Sequence, residues 1–99
     1  MLFRWFDDKQ ARQFGLHLAN FYMARSPLGE DVKTSKATAK KHAELYDKMG
    51  RQIDQFKSSH RLNIYKKARL GNAFKWALRD AGYQADDIDQ LTSWIMIRF

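Results

Sequence analysis

Ninety-nine residues without a cysteine can enclose one hydrophobic core, and they exclude a disulfide framework, a thiolate nucleophile and a cysteine-ligated metal centre within that length. Apolar residues make up 44% of the chain and aromatics 14%, a composition that folds rather than one that stays extended as a charged tail. Eighteen Lys and Arg against 11 Asp and Glu leave a net charge of +7, so the class of partner to look for is acidic.

The chain opens on Leu2, Phe3, Trp5 and Phe6 around Arg4 and runs directly into Asp7 and Asp8. That run is interrupted and lacks the continuous apolar stretch and small-residue cleavage site of a signal peptide. Elsewhere no apolar run approaches the roughly 18 residues a membrane-spanning helix requires. The expectation is a cytoplasmic protein with no transmembrane segment. Docking of this aromatic arm across the domain is favoured over insertion into a membrane surface, and a protein contact or a homodimer is the alternative if the arm is exposed.

From Ala11 through Phe14, Leu18, Phe21 and Tyr22 the apolar positions recur at three- and four-residue steps, which predicts a helix over 8–25, capped by Asp7 or Asp8 and stopped at Ser26-Pro27. Leu16 and Met23 fall on its other side, so burial on more than one face is expected. The loop Ser26-Pro27-Leu28-Gly29-Glu30-Asp31 extends to Thr34 or Ser35. A second helix over 35–57 follows from Ala39, His42, Tyr46, Met49, Ile53 and Phe56, with Gly50 in its middle at a close contact or a bend.

Lys57-Ser58-Ser59-His60 reads either as a break or as a continuation. A third helix over 61–81 carries Leu70, Ala73, Phe74, Ala77, Leu78 and Ala81 on one sector and ends where Gly82 supplies a left-handed cap and Tyr83 its apolar contact. A fourth, over 86–97, turns Ile88, Leu91, Trp94 and Ile95 inward, and Ile97 and Phe99 end the chain on apolar side chains that are expected to dock. Gly15 and Gly71, inside helices, point to close helix packing. One all-α domain of four helices with a short N-terminal arm is the architecture these elements imply.

Charge is unevenly distributed along these elements. Residues 1–32 are neutral, residues 33–56 carry +3, and residues 80–99 carry −3. Between Lys57 and Arg79 lie seven basic residues and no acidic one, so that single segment equals the whole excess. On a helical wheel Arg61, Tyr65, Ala68, Arg69, Asn72, Lys75, Trp76 and Arg79 share one face opposite the apolar stripe, with Lys66 and Lys67 flanking it. Arg and Lys neutralise phosphates, Asn can hydrogen-bond a base edge, and Tyr and Trp can stack on bases. The competing expectation is that Tyr65 and Trp76 pack in a second core while the cations reach water along their stems.

Other chemistry has little to stand on. Asp86, Asp87 and Asp89 lack the ligand spacing, central glycine and terminal glutamate of a calcium loop, and carboxylates at a helix start are accounted for by the macrodipole. His17, His42 and His60 share no metal-ligand spacing. His42 near Glu44 and Asp47 has no nucleophile or oxyanion cradle beside it. No glycine-rich phosphate loop occurs, nor the glycine-bearing turn of a DNA-binding helix pair.

The sequence therefore leads to a non-enzymatic binding protein with no metal and no cofactor. It uses Arg61, Tyr65, Lys66, Arg69, Asn72, Lys75, Trp76 and Arg79 to hold nucleic acid. The alternative is an interaction or regulatory module that meets an acidic protein surface or a second copy of the chain.

Overall fold

A computed structural model describes residues 9–26 and 36–99, with side-chain surroundings for 9–26 and 40–99. Four helices account for nearly all of them: α1 (Lys9–Arg25), α2 (Lys36–Ser59), α3 (Ile64–Asp80) and α4 (Ala85–Arg98). No strand occurs among the described residues, and the domain is an all-α, four-helix one. The aromatic arm at Leu2–Phe6, the candidate caps Asp7 and Asp8, the loop from Pro27 to Thr34 and the side chain of Ala39 lie outside the described residues. No helix among the described residues is long and apolar enough to cross a membrane.

Each helix contributes one apolar stripe at helical spacing to a common core. Ala11, Leu18, Ala19 and Tyr22 come from α1, and Leu45, Met49 and Ile53 from α2. Leu70, Phe74 and Leu78 come from α3, and Ile88, Leu91 and Ile95 from α4. The helices form a closed cycle in which α1 touches α2 and α3, and α4 touches α2 and α3, while α2 and α3 stand diagonally apart.

The tightest pairing is α1 on α3. A Cβ built on Gly15 would collide with the backbone carbonyl of Leu70 and sit 3.2 Å from the Cβ of Ala73, so the absence of a side chain at Gly15 lets the two backbones meet. At the α3–α4 crossing a Cβ on Gly71 would lie 3.0 Å from the sulfur of Met96. The α2–α4 pairing rests on the Tyr46 and Trp94 rings, 4.8 Å apart, and on Lys57 Nζ donating to the Arg98 carbonyl at 2.7 Å. Between α1 and α2 the Phe14 and Phe56 rings stack at 4.2 Å, nearly parallel.

Three expectations need correction. Leu16 is 47% exposed, so of the two residues on the far side of α1 only Met23 is partly buried against the core. Ile97 is 84% exposed because it projects on the side of α4 opposite Ile88, Leu91 and Ile95, while Phe99 is half-buried edge-on to Phe14. The third helix begins at Ile64, not near residue 61. α2 runs on to Ser59, His60 N–H closes onto the Phe56 carbonyl at 2.9 Å, and Arg61–Asn63 form a short connection.

Asn63 sets the start of α3. Its extended backbone places Oδ1 2.7 Å from the Lys66 N–H, and its carbonyl accepts from the Lys67 N–H, which together satisfy two amides of the first turn. The other end closes as the sequence implies. Gly82 takes a φ of 96°, its N–H reaches the Arg79 carbonyl, and Tyr83 N–H reaches that of Leu78, the double-bonded glycine termination. Tyr83 then donates its hydroxyl to the Ser26 carbonyl at 2.6 Å, fastening the α3–α4 corner to the end of α1.

Candidate polyanion-binding face

With α1 on one flank of α3 and α4 on the other, the remaining side of α3 has no helix of the described residues over it. Ile64, Tyr65, Ala68, Arg69, Asn72, Lys75, Trp76, Arg79 and Asp80 are all exposed and fall within a single sector of the helix. Trp76 is 55% exposed and Tyr65 48%, so neither is part of a second core.

Each aromatic ring carries an arginine from the next turn. The Arg69 guanidinium carbon lies 6.0 Å from the Tyr65 ring centroid, four residues on, and that of Arg79 lies 5.1 Å from the Trp76 ring, three residues on. The two pairs repeat along the helix with Asn72 between them, and from Tyr65 to Arg79 the face spans about 21 Å at the helical rise. No carboxylate lies within it until Asp80 at its C-terminal edge. On the α4 side Lys75 Nζ approaches Asp89 Oδ1 at 3.7 Å, an exposed pair that partly neutralises this one cation.

Of the expected binding residues, Arg61 is off the face and Lys66 flanks it. Arg61 precedes the Asn63 cap and therefore lies in the α2–α3 connection, outside the helix whose phase was used to place it. Lys66 is half-buried on the α1 flank. Both line a separate pocket with Gln10, Ala11, Phe56, Ser59, His60 and Leu62. Conversely, Ile64, 86% exposed beside Tyr65, belongs to the face, an apolar side chain outside the stripe that helical periodicity assigns to the core. Leu16 lines a shallow groove with Lys9, Arg12, Gln13 and Ala73 along the α1–α3 seam.

The other chemical candidates separate in space. Asp86 and Asp87 occupy the exposed first turn of α4, where the helix dipole favours them, and Asp89 meets Lys75. His17 pairs with Gln52, His60 Nδ1–H donates to the Phe56 carbonyl, and His42 is half-buried on α2. No group of three or more His, Asp or Glu side chains converges as a metal site among the described residues. Burial beside Trp94 pushes the Tyr46 phenol above its ordinary value of 10.0, with smaller contributions from Tyr22 and Asp87.

In comparisons with known proteins, no family, curated protein or solved structure matches this chain.

Proposed function

We propose that this domain is a non-enzymatic binding protein whose exposed α3 face holds nucleic acid. The observation that carries the reading is the repeated arginine–aromatic pair, Tyr65 with Arg69 and Trp76 with Arg79, on a face free of carboxylates as far as Asp80. Arg69, Lys75 and Arg79 contact phosphates, Tyr65 and Trp76 stack on bases, and Asn72 reaches a base edge from between them. Fluorescence anisotropy of labelled RNA and DNA oligonucleotides tests it. Binding at low salt should weaken with rising salt on a log–log slope of roughly −2 to −3, as three phosphate contacts require. Absence of binding at low salt overturns the reading.

The rival reading is an interaction module for an acidic protein surface or a second copy of the chain. What favours it is Ile64, a fully projecting apolar side chain next to Tyr65 that a phosphate backbone does not use. Under this reading alanine replacement of Ile64 abolishes association, whereas under the first it leaves oligonucleotide affinity nearly unchanged.

A further inference from the structure

We infer that the pocket at the α2–α3 corner is a site for a phosphomonoester. It is a cavity of about 370 Å³ to which α1, α2, the connection and α3 all contribute. Its polar lining among the described residues is Gln10, Ser59, His60, Arg61 and Lys66, and none of these is a carboxylate. Among the described residues neither Arg61 nor Lys66 forms an ion pair with a carboxylate, so two cations share one concavity.

The donor set matches a phosphate dianion. A guanidinium presents paired N–H groups to two phosphate oxygens, an ammonium adds a point charge, and a hydroxyl and an amide N–H can serve the remaining lone pairs. The adjoining first turn of α3 adds its positive dipole end. The carbonyl end of α2 opposes it, but the Phe56 carbonyl there already accepts from both the backbone and the Nδ1–H of His60.

The apolar floor, Ala11, Phe56 and Leu62, takes the organic part of the ester. Phe56 is covered on its two faces by Phe14 and His60, each at 4.2 Å, so only its edge is offered and a base cannot stack there. The pocket therefore recognises a terminal phosphate and not a nucleobase. This does not rest on the nucleic-acid reading of α3, whose residues Tyr65, Arg69, Asn72, Trp76 and Arg79 are not in the lining.

The test is a titration of the full chain with inorganic phosphate, followed by amide and imidazole NMR shifts. Saturable shifts at His60, Arg61, Leu62 and Lys66 are expected, with Arg61→Gln and Lys66→Gln each weakening binding about tenfold and Arg51→Gln, an exposed α2 position outside both sites, leaving it unchanged. A thermal melt confirms that the exposed-charge variants fold. Shifts that grow linearly without saturating, or that Arg51→Gln reduces as much as Arg61→Gln does, overturn the proposal. A second arm compares a 5′-phosphorylated dinucleotide with its 5′-hydroxyl form. A preference of about tenfold or more for the phosphorylated form over inorganic phosphate assigns the site to strand ends, and equal affinity for the two assigns it to free phosphate. Loss of oligonucleotide binding with phosphate binding retained would remove the α3 reading and leave this one standing.

Discussion

The Leu70 carbonyl oxygen occupies the place that a side chain on Gly15 would need, and this backbone-to-backbone approach of α1 and α3 fixes how deeply the basic helix sits in the domain. A methyl group at Gly15 has to push rigid backbone aside, so Gly15→Ala should destabilise by about 1–3 kcal/mol despite its better helix propensity. Gly50 gives the contrast. A Cβ there meets the Arg98 guanidinium at 3.0 Å, the mobile end of a side chain that also lies over Trp94. Gly50→Ala should therefore shift stability by less than about 1 kcal/mol, the propensity gain offsetting the displaced arginine. Urea unfolding of the two variants measures both.

The cap at Asn63 sets where helical phase begins, since residues before it leave the helix and residues after it follow its phase. Asn63→Ala removes the Oδ1 acceptor for the Lys66 N–H and should cost about 1 kcal/mol, while Asn63→Asp should retain most of it. Denaturant midpoints decide this. A loss well below 0.5 kcal/mol in the alanine variant would mean that water replaces the side chain there.

How much of this was legible in the sequence divides along that same cap. The apolar stripes of the four helices, the glycine termination at Gly82 and the exposed sector from Tyr65 to Arg79 follow from periodicity, because a helix within its own bounds has one fixed phase. Arg61 was misplaced because its angle was extrapolated through a boundary; the signal that could have corrected it is Asn63 itself, a strong capping residue three before Lys66. Whether Trp76 was core or surface depended on which helices neighbour α3, and a single chain's periodicity does not contain that cycle. The pocket of His60, Arg61 and Lys66 was illegible for the same reason, since Gln10 and Ala11 reach it from about fifty residues away.

Tyr46 makes stability fall on the alkaline side. Its folded-state pKa is raised by burial, so above pH 10 the unfolded chain ionises first and binds fewer protons than the native state. The contribution is complete below the unfolded value and is lost as pH rises through the folded one. Tyr46→Phe should flatten the decline in melting temperature between about pH 9.5 and 11 relative to the parent chain. An unchanged slope would show that the phenol ionises equally in both states.

Thr92 holds its hydroxyl buried and without a hydrogen-bond partner in the structure. Thr92→Val keeps the shape of the side chain and removes the desolvated group, so it should raise stability by about 1 kcal/mol. Thr92→Ser, which keeps the hydroxyl and deletes a methyl, should lower it. Thermal unfolding of the pair separates the polar effect from the packing effect.

Lys75 and Asp89 allow the α3 face to be tested by a gain and not only by losses. In the parent chain Asp89 holds Lys75 at 3.7 Å and competes with any phosphate for it. Asp89→Asn removes that competitor without touching the Arg–aromatic pairs, so oligonucleotide affinity should rise and the log–log salt slope should steepen by less than about 0.7 for a single strand or 0.9 for a duplex, the part of the Lys75 contact that Asp89 withholds. Adding Lys75→Gln should cancel the gain completely, whereas Lys75→Gln in the parent chain should change the slope by less than one phosphate because Lys75 is already partly neutralised there. A steeper slope that survives Lys75→Gln would place the effect in the overall field of the protein and not at this pair. The same four proteins measured against an acidic peptide give no fixed slope increment per charge released, so the cycle also discriminates a phosphate backbone from a protein surface.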